Sequence, residues 1–189
     1  AAIRNYLSFL WEVAENFCSE GLLDPDTMLF SAGGSAFFDL VVEASQRQGR
    51  AGRPEVILRS GCYLTHDNIL YQHWHRRMLN RSPQAAELGE GLRGALELWA
   101  YVQSRPESTR AVLTLGRRDC SYDIHLPILT QWYRPGEHEL PVAIPAGHRI
   151  ASLNDQHALV DVPEDSPLRV GDMVAAGISH PCTTFDKWQ

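Results

Sequence analysis

The stretch TMLFSAGGSAFFDLVVEA, residues 27–44, changes its period in the middle, and that change decides the fold. TMLFSA is an apolar run of the length of a buried strand. GGS interrupts it, and Phe37, Leu40, Val41 and Ala44 then recur at helical spacing. Ser35 is read as the N-cap of that helix, and Asp39 lies where a carboxylate suits the positive end of the helix dipole. The turn residues GRAGRP, 49–54, lead to EVILR, 55–59, a second buried strand that stops at Ser60-Gly61. Strand, helix and strand joined by short loops predict parallel pairing, with both loops opening at the C-terminal ends of the strands.

Upstream, Leu7, Leu10, Trp11, Ala14, Phe17 and Cys18 fall on one helical face, Gly21 stands where that helix would end, and DPD at 24–26 makes a turn. Downstream the grammar changes after a polar stretch at 76–94. LELWAYV alternates, with Leu96, Leu98, Ala100 and Val102 opposite Trp99 and Tyr101. RAVLTLG, PVAIP, HRIASLN, HALVDV and GDMVAAGI follow, each bounded by turn residues, and predict a small antiparallel sheet or barrel. The expected organisation is an α/β segment over 1–80 and an all-β domain over 81–189.

Composition narrows the function. The chain has 189 residues, 44% hydrophobic and 21% charged, and its net charge of −6 argues against a nucleic-acid surface. No apolar run reaches the length of a membrane helix. Cys18, Cys62, Cys120 and Cys182 are scattered without a CxxC, which predicts free thiols and a cytoplasmic setting.

Three segments carry candidate chemistry. SAGGS, 31–35, brings glycines to the start of a helix, where backbone N–H groups favour an anion, although Gly-Gly also serves as a plain turn. RSGCYLTHD, 59–67, ends the next parallel strand and opens on the same side. SHPCTTFDKWQ, 179–189, sets His180 and Cys182 two residues apart across Pro181. On a strand such residues share a face, and an imidazole beside a thiolate suits zinc with coordination positions left open. A buried thiol beside a hydrogen-bonded histidine fits the same letters. So does a Cys–His nucleophile, although parallel side chains lack attack geometry.

Weaker candidates are HWH, 73–75, whose neighbours Arg76 and Arg77 would repel a cation, and the turn residues Asn154, Asp155 and His157. GRRDCSYD, 116–123, is polar and fits either the lining of a cleft or, more commonly, a solvated loop.

Taken in order, LFSAGGSAFFD, VILRSGCYLTHD, LTLGRRDCSYD, LNDQHALV and LRVGDMVAAGISHPCTTFDKW resemble the metal-activated pyridoxal enzymes of fold type III. These are D-serine dehydratase, D-threonine aldolase and the bacterial D-amino-acid deaminases. The resemblance implies an alanine-racemase-like architecture, a partial (β/α)8 TIM-like barrel segment followed by a C-terminal antiparallel β-domain. It implies pyridoxal 5'-phosphate, with its phosphate held by Gly33, Gly34 and Ser35 and by Gly61, Cys62 and Tyr63. Cys62 stands where the family's PGNY pattern has Asn. It further implies zinc or another divalent metal on His180 and Cys182. Aldolase members place Asp at the position of Cys182, so the thiol points to the dehydratase and deaminase branch.

The implied reaction is elimination from a D-amino acid to a keto acid and ammonia, with retro-aldol cleavage or non-catalytic phosphate and metal binding as alternatives. The implied partner is a small D-amino acid, and the resemblance admits a homodimer. Fold type III enzymes use a Schiff-base lysine on an early barrel strand, whereas Lys187 is the one lysine here. The catalytic lysine is therefore expected upstream of Ala1, the chain being a fragment that is inactive alone. Lys187 is expected to be structural, paired with Asp186 or another carboxylate.

Overall fold

A computed structural model describes residues 1–46, 55–87, 89 and 91–188; the turn expected at 49–54 lies outside the described residues. The chain divides into two compact units, Ala1–Tyr63 with Trp74–Gly91, and Leu64–His73 with Leu92–Gln189. One is α/β and the other is built on antiparallel sheet.

In the α/β unit, helix α1 spans Ala2–Ser19 and buries Leu7 and Trp11, members of the predicted apolar face. It ends where Gly21 takes φ +71°, a left-handed conformation that costs glycine little. The Leu22 N–H then donates to the Phe17 carbonyl at 2.8 Å and the Gly21 N–H to the Cys18 carbonyl at 3.1 Å. This pair of bonds satisfies carbonyls the helix end would otherwise orphan. A 3-10 turn over Pro25–Thr27 follows, capped by the Asp24 carboxylate, which accepts from the Asp26 N–H.

Strands β1 (Leu29–Gly33) and β2 (Glu55–Arg59) pair in parallel, from Leu29 opposite Glu55 to Gly33 opposite Arg59. Phe30, Ala32, Val56 and Leu58 pack against a small core of Leu7 from α1 and Leu40 and Val41 from helix α2 (Phe38–Ser45). The expected parallel pairing is what the structure has. The cap differs: α2 starts at Phe38, Phe37 flanks it, and Ser35 makes no capping bond. The reason is a turn, closed by the Phe37 N–H on the Gly34 carbonyl at 3.0 Å, that occupies these residues before the helix begins. Arg81 fastens this end of α2. Its guanidinium donates to both Asp39 carboxylate oxygens, at 2.7 and 2.6 Å, and to the Ala36 carbonyl at 2.7 Å. Asp39 is almost wholly enclosed, so the bidentate pair is well desolvated.

Arg81 closes helix α3 (Leu70–Arg81), and the short α4 (Pro83–Glu87) follows. These helices occupy most of the stretch that the sequence left as polar connection. Their letters are rich in Arg, His, Gln and Asn, which dilutes any apolar stripe. Only Met78 of α3 is buried.

The β unit holds seven antiparallel strands: β3 (Glu97–Glu107), β4 (Arg110–Leu113), β5 (Ile128–Tyr133), β6 (Val142–Ala143), β7 (Arg149–Leu153), β8 (Ala158–Asp161) and β9 (Met173–Gly177). Their spatial order is β6-β5-β9-β3-β4-β8-β7. The predicted alternation in β3 holds, with Leu98, Ala100 and Val102 buried and Trp99 and Tyr101 outward. Register shifts in the β3–β4, β5–β9 and β7–β8 ladders add local twist. The sheet curls so that β5 approaches β7 around a core centred on Leu113, Val160, Val174 and Ile178.

Strand β5, ILTQWY, is absent from the sequence reading. Pro127 and Pro135 bracket it and Thr130 and Gln131 sit inside it, so it reads as loop until Trp132 is seen buried against the core. Helix α5 (Pro181–Phe185) follows β9. Among the described residues no helix is long and apolar enough to cross a membrane.

Two outcomes follow from this packing. A methyl group on Gly116 would stand 2.4 Å from the Asp155 carbonyl oxygen and 2.6 Å from that of Asn154. Backbone cannot swing aside as a side chain does, so Gly116→Ala should destabilise the protein by about 1–3 kcal/mol, read from the urea midpoint. The cysteines are all free, with Cys182 exposed, Cys18 intermediate and Cys62 and Cys120 buried. Burial, then Asp119, push the Cys120 thiol up to about 12 despite Lys187. At about pH 8 its thiolate is roughly one part in 10⁴. Alkylation followed by peptide mass mapping should label Cys182 first and reach Cys120 and Cys62 only after unfolding.

Candidate functional site

The α/β unit carries the first group of expected site residues. Gly33 ends β1 and Arg59 ends β2, and because the strands are parallel and adjacent, the loops at 33–35 and 61–63 leave the same end of the sheet. Gly34 adopts φ +105°, open to glycine and strained for most side chains. A Cβ on Gly33 would press on the Arg59 carbonyl at 3.0 Å, whereas one on Gly61 would meet no protein atom within 4 Å. Packing therefore accounts for Gly33, whereas Gly61 borders open space. Cys62 is buried, and the Tyr63 ring meets Phe38, the first residue of α2, edge-on at 5.2 Å.

The Tyr63 hydroxyl is buried without a hydrogen-bond partner, and so is the Ser60 hydroxyl. Ser60 is near enough to lower the Tyr63 pKa, yet burial, the larger effect, raises it, with help from Asp39. Two enclosed hydroxyls that lie close to one another and have no other partner, beside a glycine turn with ordinary φ and open space, are chemically suited to an anionic group such as a phosphate.

The β unit carries the second group. His180 and Cys182 were expected side by side on a strand; instead β9 ends at Gly177, His180 is the N-cap of α5, and Cys182 lies in its first turn. Pro181 explains the change. It occupies the first helical position, where its missing N–H costs nothing and its fixed φ starts a helix.

The loop expected to be solvated, 116–123, is tied to this turn. Cys120 and Ser121 are buried. The His180 N–H donates to the Ser121 hydroxyl at 3.2 Å, and the Ser121 N–H donates to the Thr184 hydroxyl at 3.0 Å. The Trp188 indole N–H donates to the Asp119 carbonyl at 2.8 Å. Asp123, which the sequence reading did not single out, is 2.6 Å from the His180 Nδ1 through Oδ2, and its Oδ1 accepts from the Thr183 hydroxyl at 3.1 Å. Burial, the largest influence, pushes the Asp123 carboxyl up, but the bonds to His180, its own backbone and Thr183 together hold it below the ordinary carboxylate range. Only the coincidence of its loop with α5 in space reveals Asp123; nothing in its spacing does.

His180 Nε2 and the exposed Cys182 thiol make no hydrogen bond among the described residues. No group of three or more His, Cys, Asp or Glu able to hold a metal occurs among them either. The imidazole and the thiol are a borderline-soft donor pair of the kind zinc accepts, and an ion held by two protein ligands keeps positions for water or substrate.

The other candidates are not brought to this turn. His73 and His75 lie on α3, where a step of two residues turns the side chain by about 200°, so the pair cannot share one ion. His157 closes the β7–β8 turn through its carbonyl, which accepts from the Asn154 N–H at 2.8 Å, and that turn in turn accepts from the Arg117 and Arg118 N–H groups. Lys187 does not pair with Asp186: its ammonium lies 5.5 Å from the centre of the Tyr122 ring, with Arg117 at the same distance. The RSGCYLTHD segment ends in structural roles. Asp67 is fully buried, and its Oδ1 accepts the Ile69 and Tyr71 N–H groups at the start of α3.

Comparison with known proteins agrees with this architecture. None of the curated proteins matches the sequence significantly. Among solved structures, D-threonine aldolase from Filomicrobium marinum superposes with a TM-score of 0.55 at 18% identity, over 83% of this chain and 34% of its own. D-threo-3-hydroxyaspartate dehydratase from Delftia sp. HT23 gives 0.54 at 16%, over 93% of this chain and 42% of its own. A cysteine-to-alanine variant of a D-threo-3-hydroxyaspartate dehydratase, in a metal-free form, gives 0.55 at 16% with the same coverage. The chain thus spans less than half the length of the structures it matches, and what it shares with them is the alanine-racemase-like fold of type III. Residues 95–189, just over half of the chain and nearly all of the β unit, match the family model described as "Putative serine dehydratase domain". The chain belongs to this serine dehydratase domain family.

Proposed function

We propose that the chain supplies the phosphate-binding and metal-binding parts of a pyridoxal-dependent D-amino-acid lyase that eliminates a β-hydroxyl to give a keto acid and ammonia. The observation that carries the reading is the α5 turn. It carries His180, the N-cap, and the exposed Cys182 in one turn, with the His180 N–H held by Ser121 and Nδ1 by Asp123. Two of the similar structures are a D-threonine aldolase and a D-threo-3-hydroxyaspartate dehydratase with nearly equal TM-scores, so the fold does not separate aldol cleavage from elimination. The thiol at position 182 favours elimination, given the Asp that aldolases are expected to carry there. The metal-free form of the cysteine-to-alanine dehydratase variant is consistent with a thiol ligand.

Pyridoxal phosphate, when bound, supplies an electron sink for loss of the α-proton, and a divalent ion on His180 and Cys182 supplies Lewis-acid polarisation of the β-hydroxyl. The chain's own residues do the holding. Gly33, Gly34 and Ser35 and the open turn at Gly61 and Cys62 would let backbone approach the phosphate, and the Tyr63 and Ser60 hydroxyls would be the side-chain donors to it. Lys187, the one lysine of the sequence, is engaged with Tyr122 and serves the fold of the α5 turn. The four free thiols fit a reducing, cytoplasmic setting.

Two measurements check this reading. Co(II) added to the chain should give a thiolate-to-metal absorption band that is lost in His180→Ala and Cys182→Ala, and Zn(II) should shield Cys182 from alkylation. With pyridoxal phosphate present, D-serine and not L-serine should perturb the Co(II) spectrum; unchanged spectra in all cases would remove the metal assignment. Gly61→Ala fills only open space, so its unfolding midpoint should match the parent within about 0.5 kcal/mol. Its affinity for pyridoxal phosphate, by equilibrium dialysis, should fall by about tenfold or more because the added methyl occupies that space.

A further inference from the structure

We propose that Asp123 is a positioning residue that fixes His180 as the Nδ1–H tautomer and thereby makes Nε2 the metal-binding nitrogen. The inference rests on the reading of His180 and Cys182 as metal ligands and adds a residue and an atom to it.

The geometry is specific. Asp123 Oδ2 lies 2.6 Å from Nδ1, a short distance for a charge-assisted bond. An ionised carboxylate can only accept, so Nδ1 must carry the hydrogen, and in the neutral ring the lone pair then belongs to Nε2. Metal-binding histidines are commonly oriented in this way by a carboxylate on the ring nitrogen away from the ion.

The carboxylate is itself held at its other oxygen. Oδ1 accepts from Thr183, whose hydroxyl is also 3.3 Å from the His180 carbonyl. Thr183 directly follows Cys182 in α5, so one carboxylate links the ring of the first ligand to the helical turn that carries the second. The His180 backbone is anchored separately through Ser121, which leaves ring orientation as the freedom that Asp123 removes.

As an ion pair alone, Asp123–His180 would matter little, since the two side chains are 45% and 29% exposed. A purely structural role therefore predicts a small change in stability and none in tautomer or metal affinity.

The test compares the 189-residue chain with D123N, D123A and T183V, each checked for native far-UV circular dichroism. Co(II) affinity is read from the thiolate band, and the His180 tautomer from ¹⁵N NMR of the metal-free protein at about pH 8, where an ordinary imidazole is neutral. Expected are Nδ1–H in the parent and a shift towards Nε2–H in D123A. Co(II) binding should weaken by about 10- to 100-fold in D123A. The loss should be smaller in D123N, whose amide oxygen still accepts from Nδ1, and smallest in T183V. An Nε2–H tautomer in the parent, or D123A affinity within about twofold of the parent, overturns the inference while leaving the metal site standing. A parent chain that binds no Co(II), or a His180→Ala variant that binds as well as the parent, overturns the metal reading and the inference with it. T183V keeps the question decidable if D123A fails to fold, because releasing Oδ1 must weaken binding if the carboxylate orients the ring.

Discussion

Strand β9 is paired on both edges, to β3 and to β5, and its small residues are the constraint on which the β unit depends. Val174, Ala175 and Ala176 are fully enclosed. A larger side chain at either alanine would press on the layer packed against that face of the sheet, and interiors packed at crystal density do not yield cheaply. The chain therefore leaves β9 at a fixed point, with Ile178 in the core and the buried Ser179 hydroxyl exchanging hydrogen bonds with the His125 backbone. His180 follows directly, and Cys182 stands two residues beyond it. Their position is inherited from a saturated central strand, which is a stiffer support than a surface loop.

From that anchor the 116–125 segment and α5 hold one another. Each bond in the set satisfies a group that the turn would otherwise leave unpaired: the Ser121 N–H on Thr184, the His180 N–H on Ser121, the Trp188 indole on Asp119. Gly116 lets the loop start hard against the 154–155 backbone, and the Gly116 N–H is taken by the Asp119 carboxylate at 2.7 Å. Side chains held this way lose little further freedom on binding an ion, which is what preorganisation means in energetic terms.

The α/β unit follows a different logic. Parallel pairing of β1 and β2 places two loops at one sheet end, and the Arg81–Asp39 pair secures the first turn of α2 behind them. The cost is visible in the buried hydroxyls of Tyr63 and Ser60, which have no partner.

Period and punctuation in the sequence determined much of this. The switch from strand to helical spacing around Gly33-Gly34 fixed the parallel unit, the alternation of Leu98, Ala100 and Val102 fixed the inner face of β3, and Gly21 fixed the end of α1. These are local properties, decided within a few residues by sterics and by which face is apolar. The ordered motifs likewise marked His180 and Cys182 by residue type. Tertiary structure alone decided the rest. Strand β5 is set by what Trp132 is buried against, α3 by a capping aspartate and the packing of Met78, and the turn at 180–182 by Pro181 together with the loop that grips it. Asp123 is 57 residues from His180 in sequence and 2.6 Å from it in space. A bond between residues so distant is created by the sheet that brings them together, and no pattern along the chain encodes it.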